Sequence, residues 1–144
     1  ANAFQQDWNN LVTKRGYYAI IKGCPTEEKG IIKSYMYKSK TNEMYSGHKT
    51  KAGKFAETHY RVIKKGETYS LVDINILTGR KNQIRVHLKD IDYPIVGDRK
   101  YGGDKSPINR LSLHAYQLQV KHPLTSKILN FKSLTPKDFV ELVK

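Results

Sequence analysis

The sequence predicts an α+β fold built on a mostly antiparallel sheet, and three observations carry that prediction. Two alternating segments, Thr58 to Ile63 and Val72 to Ile76, are joined through a short stretch containing Gly66, the pattern of a β-hairpin. Helical spacing follows, with Ile84, Leu88 and Ile91 at i, i+4 and i+7, and Thr135-Pro136 announces a second helix near the C-terminus. At 144 residues the chain has the length of a single domain, spanning residues 1–144.

Phe4, Trp8, Leu11 and Val12 have helical spacing and Gly16 can close the element, so an amphipathic helix is expected over residues 4–15. A chain that opens on Ala1 inside a helix reads as a piece of something longer. Tyr17 to Lys22 is apolar on both faces, as an interior strand is, and Gly23 and Pro25 turn the chain after it. Ile31 to Tyr37 is a second strand. Six lysines and one glutamate fall between Lys33 and Lys54, interrupted by Gly47 and Gly53, giving either a basic hairpin tip or a solvated loop.

In the first hairpin strand Tyr60 and Val62 face one way and His59 and Arg61 the other. In the second, Val72, Ile74 and Ile76 point inward, while Asp73 and Asn75 point to the solvent side. Pro94 stops the helix that follows, and Ile95-Val96-Gly97-Asp98 leads into a glycine-rich loop at Tyr101-Gly102-Gly103. Leu113 to Val120 is a further strand, His122-Pro123 turns it into Ile128 to Phe131, and a closing helix carries Phe139 and Leu142.

Charge narrows the class of partner. With 26 Lys plus Arg against 13 Asp plus Glu, the formal charge is +13, which favours a polyanion. Nucleic acid comes before a membrane, because neither a long apolar run nor a basic amphipathic helix accompanies the charge. Cys24 is the single cysteine, so an intramolecular disulfide is excluded and a reducing, cytoplasmic setting is expected. The five histidines show no metal-ligand spacing, and no metal is expected.

The stretch with most chemistry is Leu77 to Leu88. It reads as a strand end, a turn at Thr78-Gly79, and a helix beginning near Asn82, with Asn82 as N-cap and Arg80, Lys81 and Arg85 at the mouth. Arg85 falls on the edge of the apolar stripe, where it could lie against a cleft wall; Val86 lands opposite and makes the stripe imperfect. Taken alone, Arg85 could equally be a solvated arginine, and Tyr17 an ordinary strand aromatic.

Four stretches together resemble the RluA-type RNA pseudouridine synthases. They are Thr78-Gly79-Arg80-Lys81-Asn82-Gln83-Ile84-Arg85-Val86-His87-Leu88, Tyr93-Pro94-Ile95-Val96-Gly97-Asp98 with Tyr101-Gly102, Arg110-Leu111-Ser112-Leu113-His114-Ala115 with His122-Pro123, and Tyr17-Tyr18-Ala19-Ile20-Ile21-Lys22-Gly23. The resemblance covers nearly the whole chain in the right order. It implies a mixed, mainly antiparallel sheet flanked by helices, with a central cleft for a flipped-out uridine of ribosomal or transfer RNA.

Carried onto this sequence, the resemblance makes Tyr17 the residue that stacks on the uracil and Arg85 the partner of a catalytic aspartate. It gives Arg80, Lys81, Asn82 and Gln83 to RNA phosphates. The isomerisation it implies needs no cofactor. Two departures stand out. Asn82 replaces the family's usual histidine, and the His-Arg-Leu-Asp segment that carries the aspartate is missing. The resemblance therefore implies the C-terminal portion of a catalytic domain, inactive by itself, and its exposed sheet edge invites dimerisation. The alternative is a non-catalytic RNA-binding module with a synthase-like surface.

Overall fold

The structure, a computed structural model, describes residues 11–144. Seven strands form one sheet: β1 (Val12–Lys22), β2 (Lys29–Lys38), β3 (Met44–Gly47), β4 (Lys54–Lys65), β5 (Tyr69–Ile76), β6 (Leu113–Lys121) and β7 (Ile128–Lys132). Their order across the sheet is β3-β2-β4-β5-β1-β6-β7, and every pairing among them is antiparallel. Among the described residues two helices accompany the sheet, α1 (Gln83–Asp90) and α2 (Lys137–Leu142), and a 3₁₀ turn spans Arg99–Tyr101.

β1 lies between β5 and β6 and explains the unbroken apolar run at its end. Ala19 and Ile21 face α1, in a core with Val72, Ile74, Ile84, Leu88 and Ile95. Ile20, between them in sequence, faces the opposite side, where α2 brings Phe139 and Val143 against Leu71 and Val96. Both faces are covered here, so consecutive residues are buried. Each large aliphatic side chain so enclosed contributes roughly 1.5 to 3 kcal/mol.

The segment after α1 docks onto the end of β1. Val96 N–H donates to the Ile20 carbonyl at 2.9 Å, and Ser112 N–H donates to the Val96 carbonyl at 3.0 Å. This places Gly97 and Asp98 beside α1. Gly97 has φ +89°, and a Cβ on it would meet the Arg110 carbonyl oxygen at 2.5 Å, so the position admits only glycine.

Several expectations are corrected. The helix expected over residues 4–15 falls largely outside the described residues, and the chain is already a strand from Val12. Of the two readings of the basic stretch from Lys33 to Lys54 the hairpin holds, with β3 hydrogen-bonded to β2 through Tyr35↔Gly47, Met36↔Ser46, Tyr37↔Tyr45 and Lys38↔Met44. Val86 does not spoil the stripe on α1. It is 1% exposed and packs with Met36, Ala56 and Tyr101, so the helix is buried on two flanks.

Asp73 sits on the face expected, yet it is covered: Tyr116 Oη donates to its Oδ1 at 2.6 Å and Arg61 approaches at 3.7 Å. α2 starts at Lys137 with Pro136 as its N-cap residue, and no side chain caps it, so Thr135 does not play that part.

Candidate active site at the mouth of helix α1

Asn82 precedes α1 but does not cap it through its side chain. Its backbone is left-handed, φ 56°, a conformation asparagine tolerates, and its side-chain Nδ2 donates to Tyr101 Oη at 3.3 Å rather than capping a backbone N–H. Gln83 takes over the turn. Its Oε1 accepts from Thr78 Oγ1 at 2.7 Å and from Arg80 N–H at 3.1 Å, while its Nε2 donates to the Glu57 carbonyl at 3.0 Å and to Thr58 Oγ1 at 2.9 Å. All four hydrogen-bonding positions of the amide are used and the residue is 2% exposed. Gln83 therefore shapes the Thr78-Gly79-Arg80 turn and has nothing left to offer a phosphate, a correction to its expected role.

A second polar chain anchors the helix one turn on. His87 is fully buried, with Nδ1 against Thr58 Oγ1 at 2.7 Å and Nε2 against Ser34 Oγ at 2.8 Å. A neutral ring donates at one nitrogen and accepts at the other, which suits two hydroxyl partners. Burial lowers its pKa from the ordinary 6.5, outweighing the opposite pull of Asp90. The chain continues through Ser46 Oγ, which meets Ser34 Oγ at 3.0 Å and also bonds Asp90.

Arg85 is where the structure adds most. Asp98 grips its side edge with two parallel bonds, Nε to Oδ2 at 2.9 Å and Nη2 to Oδ1 at 2.8 Å. The Asp98 side chain is completely enclosed, and Arg85 retains 24% of its side-chain surface. The guanidinium also lies over the Tyr101 ring, 5.0 Å from its centroid, and Nη1 reaches Asn82 Oδ1 at 3.5 Å. The hydrogen bond to Asp98 raises the Arg85 pKa further, so the cation is permanent.

The carboxylate held by Arg85 within this chain is thus Asp98, where the sequence reading supplies one only from outside. Asp98 cannot itself reach a substrate, because both its oxygens are engaged below the surface. The pair uses only one edge of the planar fork. Nη1 is shared with Asn82 Oδ1, and the part of the side chain that stays exposed belongs to a residue lining the cleft, where a guanidinium suits a second anion.

Tyr17 and Arg85 meet at that cleft. They line one open concavity of about 180 Å³ together with Ile76, Arg80, Asn82 and Leu113. Tyr17 comes from β1, paired with Ile74 on β5 and Ala115 on β6, and Arg85 comes from the first turn of α1. Arg80 is held on the rim by its Nε, which donates to the Phe55 carbonyl at 2.8 Å. Lys81 is exposed and belongs to the neighbouring cavity.

Sequence reasoning missed Asp98 and Tyr101 as the supports of Arg85. The signal was the pairing of an acid after Gly97 with an aromatic at the following Gly-rich loop, but only the fold shows that this loop returns under α1. Among the described residues no group of three His, Cys, Asp or Glu gathers as a metal centre, and no helix is long and apolar enough to cross a membrane.

Comparison with known proteins places this geometry. A family model described as RNA pseudouridylate synthase matches residues 1–90. The Bacillus subtilis (strain 168) protein named Uncharacterized RNA pseudouridine synthase YlyB is 36% identical over 140 residues, 94% of this chain and 46% of its own length. Ribosomal large subunit pseudouridine synthase D of Pasteurella multocida (strain Pm70) is 33% identical over 144 residues, covering 90% of this chain and 44% of its own. The chain thus spans about half the length of the curated relatives it matches. In structure, Human RNA Pseudouridylate Synthase Domain Containing 1 superposes with a TM-score of 0.75 over 99% of this chain and 60% of its own, at 24% identity, a likeness of fold.

Proposed function

This chain belongs to the RNA pseudouridylate synthase family, and from that premise we propose that the whole protein isomerises uridine to pseudouridine in ribosomal or transfer RNA. The reading is that of a cytoplasmic RNA-modifying isomerase in which Tyr17 and Arg85 are site residues. Its catalytic carboxylate comes from a part of the protein outside this sequence. The observation that carries the reading is the shared concavity of Tyr17 and Arg85, with the guanidinium held on one edge by Asp98.

The chemistry is a rearrangement within one nucleotide. The N1–C1′ bond breaks, the uracil turns over, C5 bonds to C1′, N1 gains a proton and C5 gives one up, so the formula is unchanged. A carboxylate acting on the ribose, whether as nucleophile or base, must be ionised, and a guanidinium within about 4 Å lowers its pKa by about 1 to 3 units. Arg85, clamped from below by Asp98 and Tyr101, supplies that charge in a fixed direction. Tyr17 replaces the stacking that the base loses on leaving the helix, worth roughly 1 to 3 kcal/mol, and its phenol stands ready for proton transfer.

Arg80, Lys81 and Asn82 meet the phosphates around the extruded nucleotide. In the 144-residue chain alone the apolar β7 edge, with Ile128, Leu129 and Phe131 exposed, favours association between copies. Sedimentation at rising concentration reports this as a monomer–dimer shift. The functional test is to incubate the full-length protein with unmodified ribosomal and transfer RNA transcripts and map pseudouridine by carbodiimide adducts. Modification at discrete uridines is expected. Tight RNA binding by folded protein without any adduct would instead identify a non-catalytic binding module.

A further inference from the structure

Beside the Tyr17–Arg85 concavity lies a larger cavity of about 560 Å³, of whose lining the mechanism above uses only Arg80 and Lys81. Its floor and flanks follow from strand register. Lys54 on β4 pairs with Met36 on β2, and Lys38, two residues along β2, pairs with Met44 on β3. Side chains two apart on a strand share a face, as do direct cross-strand partners, so Met36, Lys38, Met44 and Lys54 all stand on the face that carries α1. The Gly79-Arg80-Lys81 turn closes the other side.

The chemistry of that lining is specific in kind. Half-buried Met44, backed by the buried Met36, gives an apolar floor whose adaptable, polarizable side chain can meet a flat ring. Lys38, Lys54, Arg80 and Lys81 put four cations around it, and no Asp or Glu lines the cavity. An apolar floor under a cationic rim fits a base with its phosphates. Arg80 lines both this cavity and the one holding Tyr17 and Arg85, so the two adjoin at that side chain.

We propose that this cavity is a second nucleotide site, holding a single-stranded nucleotide of the same RNA that flanks the one bound between Tyr17 and Arg85. The inference rests on RNA being the substrate, and it identifies the β2–β3–β4 region as a surface that grips the strand outside the reacting nucleotide. Recognition here is through stacking and phosphate charge, so it tolerates sequence.

The test uses the full-length protein and a fluorescein-labelled oligouridylate of about ten nucleotides, read by anisotropy across a salt series. A Lys38→Gln, Lys54→Gln double variant removes two exposed cations without touching the core. Its log Kd against log salt slope is expected to fall by about 1.4, at about 0.7 per phosphate contact, with affinity weakened several-fold. Lys121→Gln with Lys127→Gln, at the opposite edge of the sheet, should leave both unchanged.

A 4-thiouridine oligouridylate should also photocrosslink to the segment containing Tyr37 to Met44. The proposal is overturned by an unchanged slope, by an equal loss in the control pair, by crosslinks confined elsewhere, or by a wild-type protein that does not bind the probe. Pseudouridine formation by the wild type separates the two readings. If it occurs while the double variant binds normally, only this inference fails; if it never occurs but the slope falls, the nucleotide site stands and the synthase reading fails.

Discussion

Helix α1 and the β6–β7 hairpin sit on the same sheet and are held in opposite ways. Around α1 nearly every polar group is spent on its neighbours: Gln83 makes four hydrogen bonds, His87 two, and Asp98 grips Arg85 from beneath. β7 is held to β6 by its backbone ladder, yet all five of its residues are exposed, Phe131 at 58%. One region is fixed by a dense set of directional side-chain bonds, whereas β7 is held mainly by its backbone ladder, with one exposed side-chain bond to β6 from Gln117 Nε2 to Asn130 Oδ1 at 3.2 Å. The difference teaches where geometry is demanded: the side chains that must be aimed are the ones whose neighbours leave them a single orientation.

Substitutions should therefore separate the two regions sharply. Arg85→Ala strands the enclosed Asp98 carboxylate, and breaking such a buried pair typically costs about 3 to 5 kcal/mol, measurable by urea unfolding. Gly103→Ala should come next. A Cβ there would press on the Ile95 carbonyl oxygen and lie 3.0 Å from the Asp98 backbone, so the loop carrying Asp98 must shift, at about 1 to 3 kcal/mol. Thr58→Val removes the hydroxyl shared by Gln83 and His87 and leaves both with a missing partner, again about 1 to 3 kcal/mol. Phe131→Ser in β7 should stay within about 0.5 kcal/mol, and a loss as large as that of Thr58→Val would erase the contrast.

Acid should find the helix first. Because burial lowers the His87 pKa below its unfolded 6.5, the unfolded chain binds the extra proton more readily as the pH falls. The contribution of the neutral ring is complete above pH 6.5 and is lost as the pH drops toward the folded value. Thermal melting of the wild type is expected to fall through that window, while His87→Gln, less stable at pH 7.5, should show a flatter profile.

The sheet was legible because its signals are local. Alternation in Thr58 to Ile63, the two-faced apolar run ending β1, and the stripe of Ile84, Leu88 and Ile91 depend on near neighbours, and each element stands where expected. What escaped depends on contacts distant in sequence. Spacing put Val86 on the wrong side of α1, yet Met36 and Ala56, some thirty to fifty residues earlier, give it a core of its own. The helical pattern of Phe4, Trp8 and Leu11 runs on through Val12, but pairing of β1 with β6 claims the chain from Val12 onward.

In the candidate site Tyr17 and Arg85 line one concavity, whereas the Gln83 amide, expected to face a ligand, is consumed by four internal bonds. That two-sided amide joins a turn, a helix and β4, a role that the residue type permits and spacing cannot reveal. Asp98 was placed in a loop motif without a task, because only the return of that loop beneath α1 turns it into the clamp.

The most direct test of the account is the single-turnover rate of pseudouridine formation by full-length protein carrying Arg85→Lys, measured at saturating transcript RNA. Lysine keeps the charge but loses the planar fork whose Nε–Nη2 edge binds Asp98 at the cleft wall. A fall of about a hundredfold or more, with RNA affinity and fold retained, is expected. A variant that folds and reacts at the wild-type rate would contradict the claim that this guanidinium must be aimed.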